Sequence, residues 1–311
     1  MAQKIVRVIE GGGKGFRRTD VCNDEIGDVL IPKSTMPIRT FEELVAFAGR
    51  DLAQGTVAIA YSVAGIIKGH SLVEVSPNLH FLDGADLGKL TKEATGLPTY
   101  VANDMEASVT GMHVLFPELD YFLGITWSSG IGIRICKDGK ILSDSEGGHL
   151  CIDPSPFAQL CGCGRRGCAE AIVAGKGMGR RIIAELEARG INAPHGKNYF
   201  ALLDEDYLHG EAWALDTYWM ITTGLGMYLT ILQNIFHLPA IVWKGTFAKK
   251  SLALEGVEEA IRATMRERLM NPAWERDLKF YIVPGPTRPN LMEDGDSFLG
   301  AAQLALDFFS L

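Results

Sequence analysis

Four segments of this sequence predict strands, and each ends in, or runs directly into, glycines or polar side chains. They are residues 5–9, 56–65, 97–104 and 120–127. The continuous apolar character of residues 56–65 is typical of a strand that is covered on both faces of a sheet, and segments with helical periodicity lie between and after the four. The pattern predicts an α/β fold in which polar groups gather at strand ends, where open α/β sheets bind ligands.

The length and charge of the chain restrict its organisation and its partners. A chain of 311 residues is longer than a single hydrophobic core usually serves, so we expect two lobes or two domains. The formal charge of −8 disfavours nucleic acid as a partner. The first residues lack the pattern of a secretory signal, so we expect a cytoplasmic protein. Residues 217–243 contain no Asp, Glu, Lys or Arg, but their polar and glycine interruptions predict a buried helix and strand rather than a membrane span.

Three cysteines lie within eight residues, at Cys161, Cys163 and Cys168, and His149 precedes the first of them by twelve positions. Three thiolates and one imidazole match a closed tetrahedral zinc site, and the intervening glycines let the backbone bend around a metal. A disulfide is the weaker alternative in a cytoplasmic chain. Four protein ligands leave no coordination position of the zinc open to water or substrate, so the predicted zinc is structural. The other three cysteines are expected to be small buried residues: Cys22, Cys136 and Cys151.

Asn103 and Asp104 end a predicted strand and precede a segment in helical register. A carboxylate at such a position can accept a proton from an attacking hydroxyl group. The alternative is that Asp104 is only the N-cap of the next helix, and the spacing alone favours neither interpretation.

Two glycine loops follow predicted strands, and we call residues 10–15 the first glycine loop and residues 128–132 the second. Each could present backbone N–H groups to phosphate oxygens, although neither matches the P-loop pattern or the full dinucleotide fingerprint. Residues 243–246 are a third candidate. Glycine turns after strands are common, so each loop alone is a weak signal.

Residues 146–170 resemble the zinc signature of the ROK family of sugar kinases and repressors, because EGGH is followed by CGCGRRGCAE. Other landmarks stand in the family's order, and the resemblance covers nearly the whole chain. They are IEGGGKGF, YSVAG, SPNL, LPTYVANDMEAS, SSGIG, LPAIVWKG and FLGAAQLAL.

The resemblance implies an actin-like ATPase fold with two α/β lobes of ribonuclease-H-like topology around a cleft, usually assembled as a homodimer. The small lobe would contain residues 1–103 and the C-terminal helix at 297–311. The large lobe would contain residues 104–296 with the zinc-binding loop.

The resemblance also implies the roles of individual residues. Asp104 would be the general base, and His149 would use one ring nitrogen for the sugar and the other for zinc. The implied sugar-binding residues are Asn78, Asn103, Glu146, His149 and Glu170. The residues implied to bind ATP with Mg²⁺ are Glu10, Gly12, Gly13, Lys14, Ser129, Gly130, Gly132 and Gly245.

The implied function is an ATP-dependent kinase that phosphorylates a hexose, with glucose at its 6-hydroxyl first and N-acetylmannosamine or N-acetylglucosamine as alternatives. Family repressors carry a helix-turn-helix domain before the first glycine loop, and that loop begins here at residue 10, so a kinase is favoured. The first loop departs from the family pattern, since Lys14 and Gly15 stand where Thr and Lys are usual, and Trp127 stands where a small residue is usual. These departures support a further alternative, a non-catalytic sugar-binding protein.

Overall fold

The computed structural model describes residues 4–12, 15–22, 25–27, 37–77, 79–142, 145–191, 198–283 and 295–311. The strands are β1 (Ile5–Gly12), β2 (Gly15–Cys22), β3 (Glu25–Ile26), β4 (Thr56–Val63), β5 (Ile66–Lys68), β6 (Leu72–Val75), β7 (Ala85–Asp86), β8 (Thr99–Asn103), β9 (Tyr121–Trp127), β10 (Ile131–Lys137), β11 (Lys140–Ile141), β12 (Ala240–Lys244) and β13 (Lys279–Ile282). The α-helices are α1 (Phe41–Gly49), α2 (Leu87–Thr95), α3 (Asp104–Leu115), α4 (Ala169–Val173), α5 (Gly175–Ala188), α6 (Asn198–Leu208), α7 (Ala212–Phe236), α8 (Thr246–Ser251), α9 (Val257–Arg268), α10 (Ala273–Arg276) and α11 (Gly295–Phe308). Short 3₁₀ helices lie at His80–Leu82 and Gly147–His149.

Two five-stranded sheets share one strand order. The first has the order β3-β2-β1-β4-β8, with β1, β2 and β3 antiparallel and β4 and β8 parallel to β1. The second has the order β11-β10-β9-β12-β13, with β12 parallel to both β9 and β13. This repeated order is the ribonuclease-H-like topology that the resemblance implies, and the α/β class is confirmed.

The chain divides into two compact units. The first unit contains residues 1–120, 134–144 and 283–311, and the second contains residues 121–133 and 145–282. The sequence-based ranges divide the chain at residue 103 and place α3 in the larger lobe, whereas α3 lies in the first unit. No helix of the described residues is long and apolar enough to span a membrane.

In the first unit, α11 packs closely against α3. A Cβ atom on Gly300 would lie 1.7 Å from the Ala107 carbonyl oxygen, and one on Gly111 would lie 1.8 Å from that of Asp296. The Ser108 hydroxyl group donates a hydrogen bond to the buried Asp296 carboxylate. Glycines therefore allow the two backbones to meet, and this contact fixes the helix that begins at Asp104.

Two buried arginines bind the carbonyl groups at the end of α1. Arg7 donates hydrogen bonds to the carbonyl oxygens of Ala48, Arg50 and Asp51, at 3.2, 2.9 and 2.9 Å. Its Nε also donates to Asp20 Oδ1 at 2.6 Å. Arg18 donates to the same Arg50 oxygen at 2.8 Å. These donors replace the backbone partners that the last carbonyls of a helix lack.

Replacing Arg7 with Met is expected to lower the free energy of unfolding by about 3 kcal/mol, because it leaves a carboxylate and several carbonyl groups without their buried donor. Guanidinium unfolding followed by circular dichroism measures the change. The control is Lys89→Met, which removes an exposed cation from α2 and should cost less than about 0.5 kcal/mol. An equal effect of the two substitutions would contradict this role of Arg7.

The cysteines outside the 161–168 segment differ in exposure. Cys136 is buried, as predicted, and burial raises the pKa of its thiol to about 11. The prediction is wrong for Cys151, which is exposed, and only partly right for Cys22, which is half-buried. Cys151 lies outside the named strands, and its thiol donates to the Asp153 carbonyl oxygen at 3.4 Å.

Candidate functional site

The ligand atoms of His149, Cys161, Cys163 and Cys168 all lie within 4.8 Å of one another in the second unit. Cys161 Sγ is 3.6 Å from His149 Nδ1, and Cys163 Sγ is 3.7 Å from Cys168 Sγ. We call these four residues the metal cluster.

Two of the ligand separations in the metal cluster match those of tetrahedral zinc, and all of them lie within 4.8 Å. With sulfur about 2.3 Å and nitrogen about 2.0 Å from the ion, tetrahedral ligands lie about 3.5 Å (sulfur to nitrogen) to 3.8 Å (sulfur to sulfur) apart. The separations of 3.6 Å between Cys161 Sγ and His149 Nδ1 and of 3.7 Å between Cys163 Sγ and Cys168 Sγ are within about 0.1 Å of those values. The Nδ1 atom of His149 faces the thiols, which leaves Nε2 on the other side of the ring. The donor set fits a structural zinc ion.

The three thiols of the metal cluster differ in the direction in which their pKa values are shifted. Burial raises the pKa of the Cys168 thiol to about 12, and the neighbouring Cys163 thiol adds to the effect. Burial also raises the pKa of Cys161. The backbone amide of Arg165 lowers the pKa of the exposed Cys163.

Glycines allow the backbone to turn around the metal cluster. Gly164 and Gly167 have φ angles of +84° and +76°, which L side chains rarely adopt. A Cβ atom on Gly167 would lie 1.8 Å from the Asp153 carbonyl oxygen. The Cys161 N–H donates to the Arg165 carbonyl oxygen at 2.7 Å and closes the turn.

The 3₁₀ turn at Gly147–His149 ends in the predicted sugar-binding residue His149, and Glu146, another of the set, is its N-cap. A Cβ on Gly148 would lie 2.0 Å from the Ile131 carbonyl oxygen, so the turn packs directly on β10. A cavity of about 500 Å³ opens beside it. The residues that line the cavity are Glu146, Gly147, His149, Leu150, Cys163 and Arg165. Acidic, imidazole and cationic groups therefore share one cavity next to the metal cluster.

Glu170 lies between the metal cluster and the second glycine loop. Its Oε1 is 3.8 Å from Cys161 Sγ, and its Oε2 accepts a hydrogen bond from the Ile131 N–H at 3.3 Å. Together with Glu146 and His149, this residue belongs to the second unit.

In the first unit, the N-cap of α3 is Asn103 and not Asp104. The Asn103 Oδ1 atom accepts from the N–H groups of Met105 and Glu106, at 2.9 and 3.3 Å, and its Nδ2 donates to Gly65 O at 2.9 Å. Asp104 is the first residue of the helix, is half-buried, and accepts from the Met105 N–H at 2.9 Å. The structural alternative for Asp104, that it caps the helix, is therefore wrong.

Arg134 is a residue of this region that the sequence analysis did not identify. It is buried on β10, and its guanidinium donates to Asn103 Oδ1 at 3.1 Å. The available signal was a single arginine within the otherwise apolar sequence IGIRIC.

The first glycine loop joins β1 to β2. Glu10 lies in β1, and Arg17 of β2 donates from Nε to its Oε2 at 2.8 Å. A Cβ on Gly12 would meet open space, while Gly15 has a φ of +107°. A lysine at position 15, as is usual in the family pattern, would therefore be strained in this backbone. Gly13 and Lys14, as well as Asn78, lie outside the described residues.

The second glycine loop approaches Gly245 closely. Gly245 has a φ of +105°, and a Cβ there would lie 2.5 Å from the Trp127 carbonyl oxygen. Ser129 is exposed and Gly130 half-buried, whereas Gly132 lies within β10. The ends of β9 and β12 thus bring two of the three predicted glycine sites together.

The Trp127 side chain is fully buried beneath the second glycine loop. Its Nε1 donates to the Val173 carbonyl oxygen at 2.6 Å, and its ring packs against Trp243 and Phe247, with centroid distances of 6.1 and 6.3 Å. The departure from a small residue at position 127 is therefore accommodated in the core of the unit.

Known proteins resemble this chain in sequence and in fold. An N-acetylmannosamine kinase from Citrobacter koseri is 36% identical over 127 residues, which are 39% of this chain and 43% of that kinase. The chain thus matches about half the length of the curated relatives, or less. A ROK family glucokinase from Streptomyces griseus, solved with glucose and AMPPNP, has a TM-score of 0.72 at 21% identity, covering 98% of this chain and 100% of that one. A putative N-acetylmannosamine kinase from Listeria monocytogenes has a TM-score of 0.77 at 17% identity, covering 98% and 99%.

The structural matches confirm the expected actin-like ATPase fold. Residues 32–307 match the sequence model of the ROK family. Because this match spans most of the chain, the protein belongs to the ROK family.

Proposed function

We propose that this protein is an ATP-dependent kinase that phosphorylates a hydroxyl group of a hexose. The observation that carries the proposal is the position of Asp104. It follows directly on the end of β8 as the first residue of α3, and Asn103 rather than Asp104 is the N-cap of that helix. A carboxylate that is not needed as a cap is suited to accept the proton of an attacking hydroxyl.

Phosphoryl transfer requires alignment and charge neutralisation more than covalent chemistry by the protein. In the proposed reaction the Asp104 carboxylate takes the proton of the sugar hydroxyl as its oxygen attacks the γ-phosphorus, and ADP leaves. The nucleotide enters as its Mg²⁺ complex, in which the cation neutralises phosphate charge.

Sugar recognition is assigned to Asn78, Asn103, Glu146, His149 and Glu170. A polyhydroxyl ligand needs several fixed acceptors, which two carboxylates and an imidazole supply. With Nδ1 of His149 on the zinc side, Nε2 is the nitrogen assigned to the sugar. Asn103 uses one of its amide hydrogens for Gly65, and the second has no partner among the described residues.

Nucleotide binding is assigned to the two glycine loops and the strand end at Gly245. The residues are Glu10, Gly12, Gly13, Lys14, Ser129, Gly130, Gly132 and Gly245. The burial of Trp127 supports this role for the second loop, because the indole ring lies under the loop instead of at its surface.

Two sugars are the leading substrates at their 6-hydroxyl groups. The 36% identity to an N-acetylmannosamine kinase favours N-acetylmannosamine. Glucose is the second candidate, because the chain shares its fold with a glucokinase solved with glucose. The identity to that glucokinase is lower, at 21%. We further propose a cytoplasmic homodimer on the family resemblance.

A coupled assay of ADP release with ATP and Mg²⁺ tests the proposal across glucose, mannose, N-acetylglucosamine and N-acetylmannosamine. We expect turnover with one sugar to exceed that with the others by at least about tenfold, because a site that hydrogen-bonds particular substrate groups rejects an analogue in which such a group is missing or displaced. Calorimetry of sugar binding runs in parallel. Binding without turnover on any sugar would contradict the kinase and favour the non-catalytic sugar-binding protein.

A further inference from the structure

The carboxylate of Glu170 lies between the metal cluster and the second glycine loop and bonds the loop. Glu170 Oε2 accepts from the Ile131 N–H at 3.3 Å and lies 2.7 Å from the position of a Cβ on Gly130. Its other oxygen is 3.8 Å from Cys161 Sγ. A residue larger than glycine at position 130 would therefore displace the carboxylate from the loop.

Three more hydrogen bonds tie the same stretch of chain, residues 168–176, to this region, one to Trp127 just before the loop and two to the loop itself. The Val173 carbonyl oxygen accepts from Trp127 Nε1 at 2.6 Å. The Gly175 N–H donates to the Ser128 carbonyl oxygen at 2.8 Å, and the Lys176 N–H donates to that of Ser129 at 3.1 Å. We call residues 168–176 the linking segment.

The linking segment begins at a member of the metal cluster. Cys168 is the N-cap of α4, which has only five residues, and Ala174 follows as the N-cap of α5. A helix this short is not stable by itself, so its position depends on its attachments. Those attachments are the metal cluster at one end, the second glycine loop at the other, and the packing of the buried α4 side chains, with Val173 against Gly224 of α7.

The hydrogen bonds also set the direction of the loop's own N–H groups. In a planar trans peptide the carbonyl group and the following N–H point in opposite directions. Because the carbonyls of Ser128 and Ser129 point at α5, the N–H groups of Ser129 and Gly130 point away from it. Successive N–H groups with a common direction form an anion-binding concavity, which is suited to phosphate oxygens.

We infer that Glu170 is a positioning residue that, with the linking segment, holds the second glycine loop to the metal cluster, so that nucleotide affinity depends on the cluster. The nucleotide part of this inference rests on the proposed function. It gives the zinc site a second role, because loss of the metal would disorganise the phosphate-binding amides as well as the sugar-binding residues.

The first test compares Glu170→Ala with Glu170→Gln by calorimetry of Mg²⁺–AMPPNP binding. Alanine removes the acceptor of the Ile131 N–H, and we expect about a tenfold weaker affinity, since a hydrogen bond to a charged group contributes about 1.5 kcal/mol or more. Glutamine keeps an oxygen facing that N–H and should stay within about threefold of the wild type. The control is Glu187→Ala, an exposed carboxylate on α5. Unchanged affinity in Glu170→Ala, or an equal loss in both Glu170 variants, would overturn the assignment.

The second test needs no nucleotide and uses amide hydrogen exchange of residues 128–132. We expect exchange to become at least about tenfold faster in Glu170→Ala and after removal of the metal with a chelator, while α2 in the other unit stays protected. Unchanged exchange of the loop in both conditions would overturn the link. A wild-type protein that binds no AMPPNP would overturn the proposed function, and the exchange comparison would still decide whether Glu170 holds the loop.

Discussion

Asp104→Asn is expected to lower kcat by about 10²–10⁴-fold and to leave sugar affinity within about threefold of the wild type. Asparagine has nearly the same volume and keeps an oxygen that can accept from the Met105 N–H, as Asp104 Oδ1 does at 2.9 Å. The helix should therefore begin in the same way. What the substitution removes is the capacity to take a proton, and that loss affects the transition state rather than the bound sugar.

Steady-state kinetics and calorimetric sugar binding measure the two effects separately. The matched control is Asp86→Asn, which alters an aspartate at the start of another helix of the same unit, where its side chain accepts from the Lys89 N–H. Asparagine is as good an N-cap as aspartate, so this variant should keep kcat within about twofold. A kcat within threefold of wild type in Asp104→Asn would exclude Asp104 as the base. A loss of sugar binding would instead make it a sugar-binding residue.

The identity of the α3 cap shows a limit of sequence patterns. Asn103 and Asp104 are both good N-cap residues, and a helix start can be located from sequence only to within a residue or two. The structure distinguishes the two residues. The Asn103 side chain accepts hydrogen bonds from two backbone amides of α3, whereas Asp104 is already the first residue of the helix. The functional interpretation of Asp104 depends on that single-residue difference.

The metal cluster was predictable because its ligands are close in sequence. Cys161, Cys163 and Cys168 lie in one turn, and glycines between them signal that the backbone can bend around an ion. Which ring nitrogen of His149 faces the thiols, and where Glu170 lies, were not predictable in the same way. They depend on how the Gly147–His149 turn and the start of α4 pack on β10.

Contacts between distant parts of the chain account for what the sequence did not predict. Arg134 binds Asn103 across 31 positions, and Trp127 binds the Val173 carbonyl across 46. No local pattern specifies such a partner, since hydrophobic periodicity indicates only which faces are buried. For the same reason, the sequence showed Trp127 as an exception to the family pattern just before the second glycine loop but not that its ring lies in the core.

Cys163→Ser is expected to abolish tight zinc binding and to destabilise the second unit by several kcal/mol. A serine hydroxyl is a far poorer zinc ligand than a thiolate, and structural zinc contributes directly to folding free energy. Cys163 is exposed, so the substitution itself removes little packing. All five tryptophans lie in the second unit, so their fluorescence during guanidinium unfolding reports its stability, while elemental analysis after dialysis reports the metal.

The matched control is Cys151→Ser, which makes the same chemical change at an exposed cysteine outside the metal cluster. The Cys151 thiol only donates to the Asp153 carbonyl oxygen at 3.4 Å, a bond that a hydroxyl group can also make. This variant should keep its metal and its unfolding midpoint. Because the metal cluster also lies against Glu170 and beside the cavity at Glu146, Cys163→Ser should lose sugar binding together with the metal. A metal-free Cys163→Ser protein with wild-type stability and sugar affinity would show that the cluster does not support the site.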